Sequence, residues 1–469
     1  MVDTGRAPAA ESFAPSLEKV FSLAAGKTKA LASRWEGQGG APVFTVGGRY
    51  SQRGWTEWTQ GFQFGNALLV HEALGDPWFL EYGRGRTVSA MAPHVTHFGV
   101  HDHGFNNIST YGNLLRMAAE GIIDADRWEL DFYRLALKAS GAVQARRWTS
   151  LPGRLGYIYS FNGQHSLFAD TIRSLRSLAA AHSLGHCLMG EQDARVSLLE
   201  RLLQHAETTA RYNVYFGTGR DRWDIAGRVA HESIFNVDGG AYRCPSSQQG
   251  YSPFSTWTRG LAWIILGYAE ELEYIDSLGD EEISALGLPY FPGKAEVAAR
   301  FIQAAAAACD FYIDNSATDG IPYWDTGAPG LARMEGYLDR PADPDNPFEP
   351  VDSSAAAIAA QGMLRLGRYL GRAGDARAGR YERAGLAIAR TLMGEPYLSA
   401  DARHEGLLLH AVYHRPNGWD AAPDPDGVPR GESCMWGDYH LLELALYLWR
   451  IAKGREPQRF FTLGQTGRL

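Results

Sequence analysis

Cysteine is scarce and scattered: four in 469 residues, at Cys187, Cys244, Cys309 and Cys434. With no C-x-x-C pair, neither a dense disulfide scaffold nor a cysteine-built zinc framework is implied, and buried free thiols are the expected state. No apolar run approaches the ~20 residues that span a bilayer. A basic excess is missing too. The formal net charge is −8, which argues against binding nucleic acid or an anionic membrane, since both need basic surface to displace counterions. A small anionic substrate stays open, because a few local arginines outweigh the net field. The N-terminal MVDTGRAPAAESFAPSLEKV has neither the basic start nor the apolar core of a secretory signal, so cytoplasmic residence is the expectation. Also absent are a Walker loop, a strand-linked GxGxxG, a GxSxG nucleophile elbow and an HExxH helix. Phosphate, serine-nucleophile and zincin chemistry therefore have no sequence support.

What the chain has is helical periodicity, repeated from end to end. Leu441, Leu444, Ala445 and Leu448 fall at i, i+3, i+4 and i+7, one face of a helix. Comparable patterns predict helices at 15–35, 59–74, 77–91, 105–120, 125–146, 169–184, 191–209, 257–276, 293–313, 353–372, 374–393 and 436–453. Short breaks at Gly75-Asp76, Gly190-Glu191 and Gly374-Asp375 offer a glycine C-cap and an acidic start to the next helix, as antiparallel helical hairpins require. No linker divides the chain, so residues 1–469 are read as one all-α domain of stacked hairpins. Six of them would close an (α/α)6 toroid, although periodicity alone reads the same for an open solenoid. Strand-like runs are short, at Tyr157-Ile158-Tyr159 and from Leu407 to Val412. Long non-helical stretches at 147–168, 210–256, 314–352 and 394–435 are rich in Gly, Pro, Trp, Tyr, Asp and His. They are expected to gather at one end of the ring and wall a pocket.

Three segments carry polar chemistry. HVTHFGVHDHGFNN (94–107) packs His94, His97, His101, Asp102 and His103 ahead of a helix. It lacks metal-ligand spacing and a second carboxylate, so its histidines are read as holding loops and substrate hydroxyls, with no metal or other cofactor expected. FNGQHSLFADTIRSLRSL (161–178) places Asp170 at a helix start, with Arg173 and Arg176 within the next two turns. Both aspartates suit acid/base work, and both equally suit N-capping. Those arginines would depress a neighbouring carboxyl, whereas a general acid needs a raised one, so they are expected to face elsewhere. HESIFNVDGGAYRCPSSQQGYSPFSTWTRGLAW (231–263) offers His231, Gln249, Tyr251, Trp257, Arg259 and Trp263 around a loop-to-helix junction. Indoles stack on sugar faces while Arg and Gln bind carboxylates and hydroxyls, and core packing is the competing reading for each tryptophan. Trp35, Trp55, Trp58, Trp223, Trp324 and Trp436 add to the aromatic stock.

Five segments, in order, resemble the unsaturated glucuronyl hydrolases of glycoside hydrolase family 88 and, more distantly, the rhamnogalacturonyl hydrolases of family 105. They are WTEWTQGFQFGNALLVHEALGD (55–76), VHDHGF (100–105), QGYSPFSTWTRGLAW (249–263), DSSAAAIAAQGMLRL (352–366) and MWGDYHLLE (435–443). The resemblance implies an (α/α)6 toroid that hydrates the C4=C5 vinyl ether of an unsaturated uronic acid at the non-reducing end of lyase-derived oligosaccharides. It also implies Asp170 as general acid/base and Asp102 as its partner carboxylate. Trp58, His101, His231, Gln249, Trp257, Arg259 and Trp263 would be the substrate-binding residues, and the partner a small, anionic oligosaccharide. The competing readings are a toroid glycosidase acting on a saturated sugar and a non-catalytic sugar-binding helical repeat.

Overall fold

The computed structural model describes residues 1–36, 39–53 and 58–461, so Trp55 lies outside the described residues. Twelve long helices organise the chain: α1 Ala14–Trp35, α2 Gln60–Leu74, α3 Pro77–Ala90, α4 over 103–119, α5 Arg127–Arg146 and α6 over 171–183, then α7 Leu198–Tyr212, α8 Thr258–Asp276, α9 Lys294–Asp314, α10 Ser353–Arg372, α11 Ala378–Leu392 and α12 Met435–Ala452. A π turn at Ile108–Gly112 interrupts α4, and a break at Leu175 divides α6.

Burial separates these helices into two sets. Every residue of α8 from Thr258 to Ile275 is buried, whereas α7 buries one face through Leu198, Leu199, Leu202, Leu203 and Ala206. A helix apolar all round belongs inside and an amphipathic one at the surface. The even-numbered helices accordingly touch in a cycle, α2–α4–α6–α8–α10–α12 and back to α2, with the odd-numbered helices packed outside them. Contact of α12 with both α10 and α2 closes the ring, which makes this an (α/α)6 toroid and not an open solenoid. No helix among the described residues is long and apolar enough to cross a membrane.

Two of the three anticipated breaks are tight turns: Gly75 and Gly374 both take left-handed φ, at 73° and 72°. Gly190 does not (φ −92°). Between α6 and α7 the chain forms a small hairpin of two strands, Leu188–Met189 and Arg195–Val196, so α7 starts at Leu198, where the Ser197 side chain accepts from the Glu200 amide. Leu407 to Val412 is a largely buried loop whose strand character is limited to one antiparallel bridge, Leu408 with Leu398, while the amides of Leu407 and Leu408 donate to the Asp438 carboxylate on α12. Four free cysteines are present as expected, but Cys244 is exposed and Cys187 half-buried.

Beneath the loop end of the ring lies a buried ion network. Arg173 on α6 bridges Glu270 on α8, donates to Glu443 on α12 at 2.9 Å, and donates to His440 Nε2 at 2.8 Å. Arg176 donates through Nε to the Gly104 carbonyl at 2.7 Å, and Arg365 on α10 pairs with Glu273 at 2.7 Å. The two arginines that follow Asp170 thus join inner helices to one another and leave the space in front of Asp170 free.

Candidate active site

Asp102 and Asp170 stand at the N-termini of adjacent inner helices, α4 and α6. Each occupies the N-cap position, and neither side chain makes a capping hydrogen bond. Both are buried, at 9% and 8% exposure, yet both line the same cavity. Capping therefore does not account for them.

The two helix starts meet because of Gly104. A Cβ there would fall 2.3 Å from the Ser174 carbonyl oxygen, so only glycine lets α4 begin against α6. The contact is stitched by the Gly104 amide donating to Ser174 Oγ at 3.0 Å, and by that hydroxyl donating to the His101 carbonyl at 2.6 Å. On the other side, Gln144 of α5 donates to the His101 carbonyl (2.8 Å) and accepts from the His103 amide (3.2 Å). Asp170 follows strand Ser166–Phe168, which pairs with Glu232–Phe235, and the Ala169 amide donates to the His231 carbonyl at 2.8 Å.

Between the carboxylates lies His101. Its Nε2 is 3.7 Å from Asp102 Oδ1 and 3.7 Å from Asp170 Oδ1, so those oxygens are at most twice that distance apart. Paired-carboxylate glycosidases work at separations of about 5–9.5 Å. Burial disfavours a charged imidazole, but the two aspartates outweigh it and hold His101 above its usual value. Burial pushes the Asp102 carboxyl up, with repulsion from Asp170 adding to it and His101 opposing. For Asp170 burial also acts upward, but the hydrogen bond and charge of His101 override it and hold this carboxyl below its usual range. His101 is thus the group biased toward holding a proton and Asp170 the carboxyl biased toward the anion. Two of the neighbouring histidines are structural: His103 is held by Ser140 and the His97 carbonyl, and His94 by Gln60 and Asn106, whereas the His97 side chain lines the cavity.

The cavity measures about 490 Å³ and opens among aromatic side chains. Trp58, His101, Gln249, Trp257, Arg259 and Trp263 all line it, as the sequence reading expects. Trp58 stacks on Trp436 at 4.9 Å, forming one indole wall. Trp257 and Trp263, at 3% and 2% exposure, are at once core and lining. His231 stands behind the lining, packed between Phe168 and Trp257 at 4.5 and 4.7 Å. Its Nδ1 accepts from the amides of Gln248 and Gln249, and burial lowers its pKa to about 4, so it is a neutral acceptor that shapes the Gln249 loop. The Arg259 guanidinium is largely occupied. It pairs with Asp352 at 2.7 Å, donates to the carbonyls of Val412 and Tyr413, and donates to Gln249 Oε1 at 3.3 Å. Arg259 thereby binds α8, the start of α10 and the 394–435 loop into one wall.

Five further lining residues, Phe161, Gln248, Tyr413, His414 and Trp419, come from the long loops 147–168, 210–256 and 394–435. The 314–352 loop stays out of the lining and supports it instead, with Asp325 accepting from the Tyr251 amide at 2.8 Å. Trp419 was detectable by the same aromatic-loop argument that marks Trp436. Arg53 was not: it reaches the cavity from a β-hairpin, Ala41–Val46 with Arg49–Arg53, and its guanidinium lies over Tyr413 and Trp419 at 5.4 and 5.6 Å.

No family model matches the chain. It is similar to the unsaturated glucuronyl hydrolase of Formosa agariphila, at 25% identity over 392 residues, 82% of this chain and 78% of the relative. The enzyme of the same name from Bacillus sp. strain GL1 is 26% identical over 406 residues, 85% of this chain and 88% of that one. The crystal structure of unsaturated glucuronyl hydrolase from Bacillus sp. GL1 superimposes with a TM-score of 0.71 at 22% identity, covering 96% of this chain and all of that one. That superposition establishes likeness of fold.

Proposed function

We infer that the chain is an unsaturated glucuronyl hydrolase, a glycoside hydrolase that removes an unsaturated uronic acid from the non-reducing end of lyase-derived oligosaccharides. The observation that carries this reading is the pair of buried, non-capping aspartates around one imidazole in an indole-walled cavity. A saturated-sugar glycosidase and a non-catalytic sugar binder have no comparable support among the relatives.

The reaction asks for a proton at C4 of the sugar, stabilisation of oxocarbenium character at C5, and a base for the attacking water. We assign the proton transfers to Asp170 and the electrostatic role to Asp102. His101 holds the Asp170 carboxyl below its usual range, but an entering uronate brings a further negative charge and expels water, and both favour the neutral acid. His101, beside both carboxylates, is the proton source. Because Asp102 and Asp170 repel, neutralising Asp170 favours ionisation of Asp102. Protonation of C4 regenerates the Asp170 carboxylate, which takes a proton from water as its oxygen bonds C5. The resulting hemiketal opens and releases the neighbouring sugar as its alcohol. Trp58 and Trp436 supply a stacking face, and Gln249 a hydrogen-bonding edge.

Two expectations follow from the wiring of the triad. The reactive form holds a proton on His101, whose pKa is raised, so kcat/KM should stay high past the ordinary imidazole range and then fall as pH rises. On the acid side it should fall as Asp102 protonates, above the ordinary aspartate range. A His101→Asn variant should lose the alkaline limb at its wild-type position, and an unchanged profile would remove His101 from the proton path. Gln144 touches no substrate and only holds the 101–103 backbone, so Gln144→Ala is expected to lower kcat about 10-fold to 100-fold with KM little changed. Steady-state kinetics on an unsaturated disaccharide would read this split.

A further inference from the structure

The outer face of α5 carries Trp128, Phe132, Leu135, Ala139 and Ala142. Their spacing of four, three, four and three residues is the a/d seam by which one helix packs along another. The opposite face, with Leu130, Tyr133, Leu137 and Gln144, turns into the ring. The large residues of the seam are uncovered, with Trp128 85% exposed, Leu135 65% and Phe132 40%, while Ala139 and Ala142 are half-buried and form its floor. Single exposed apolar residues are ordinary, but a continuous stripe of large ones marks an interaction surface.

We propose that this face joins two copies of the chain, with their α5 helices packed antiparallel about a two-fold axis at Leu135. The seam is complementary to itself only in that arrangement. Large residues fill its N-terminal half and alanines its C-terminal half, so reversal sets Trp128 over Ala142 of the second copy and Phe132 over Ala139, while Leu135 meets its equivalent on the axis. Facing layers of large and small side chains are what close packing requires. Charge follows the same rule. Asp124, Asp126, Glu129 and Asp131 outnumber Arg127 and Arg134 in and just before the N-terminal half of α5, and Lys138, Arg146 and Arg147 lie toward the C-terminal end. In an antiparallel pair the same edges of the two helices face each other, which brings Asp131 of each copy to Lys138 of the other. Within one chain Asp131 has only its helix neighbours Arg134 (3.0 Å) and Arg127 (3.8 Å), and Lys138 has no ion pair among the described residues. Parallel packing would set acidic end on acidic end and indole on indole.

One helix pair covers less than the ~800 Å² per partner of a standard interface, so the association is expected to be reversible, with a Kd in the micromolar range. Sedimentation equilibrium of the full chain from about 1 to 100 µM tests this. The wild type should pass from the 51.6 kDa chain mass toward twice that value. Leu135→Glu should weaken association at least about 10-fold, with the thermal midpoint and any uronide turnover unchanged, because the side chain is exposed. Asp131→Lys should weaken it as well, and Asp131→Lys with Lys138→Asp should restore it. A monomer across the whole range, a dimer indifferent to Leu135→Glu, or a charge swap that fails to restore association would each overturn the proposal.

Discussion

Asp170→Asn is expected to abolish the decay of ultraviolet absorbance that accompanies loss of a conjugated C4=C5 uronate, lowering kcat by about 10³-fold or more. The amide occupies the same volume at the start of α6 and caps nothing that the carboxylate caps, so folding should be unaffected and circular dichroism unchanged. What is lost is the only group we assign to carry a proton both to carbon and from water. Substrate binding should survive, which a fluorescence titration of the lining tryptophans would read. Asp102→Asn should also be impaired, through loss of charge at C5 and through a changed proton affinity of His101. The comparison of the two variants decides the assignment. Wild-type decay in Asp170→Asn would reject the mechanism. A dead Asp102→Asn beside a partly active Asp170→Asn would transfer the acid role to Asp102, the carboxyl that burial already holds above its usual value.

The second large effect concerns stability. Arg173→Met should destabilise the fold by about 3–5 kcal/mol, because it removes the guanidinium hydrogen-bonded to Glu443 and Glu270 and leaves these buried carboxylates to the more distant Arg176, at 3.6 and 3.7 Å. Arg173 and Glu443 have no exposed side-chain surface, so water cannot substitute for the missing partner. Arg368→Met removes a pair whose glutamate, Glu456, is 72% exposed, and should change stability by no more than about 1 kcal/mol. Equilibrium urea denaturation of the two variants against wild type measures the contrast, and equal shifts would contradict it. A pH dependence accompanies this network. Glu443 is held below the usual carboxyl range because the Coulombic pull of Arg173 and Arg176 outweighs its burial. A group with a depressed folded-state pKa stabilises at neutral pH and ceases to do so as pH falls through that value, so the network should favour the fold at neutral pH and fail in strong acid.

Much of this architecture is written locally. The 3.6-residue recurrence of apolar side chains gives eleven of the twelve helices to within a few residues, since burial of one helix face is a periodic demand on the sequence. The exceptions have non-local or competing causes. The start of α7 gives way to a hairpin, and the 407–412 run pairs only through the Leu398–Leu408 bridge, with two of its amides taken by Asp438 from another part of the chain. The site residues were visible as types: carboxylates and histidines before a helix, indoles and arginine at a loop-to-helix junction. Their meeting was not. Periodicity cannot distinguish a closed ring from an open stack, because closure is a contact between α12 and α2 at opposite ends of the chain. Nor can composition tell a capping aspartate from one facing a cavity. That choice rests on a glycine that lets two helix starts touch, and on one imidazole placed between two carboxylates. Proton affinities are sums over all neighbouring charges and over burial, so the lowered proton affinity of Asp170 follows from the packed chain and not from the motif around it.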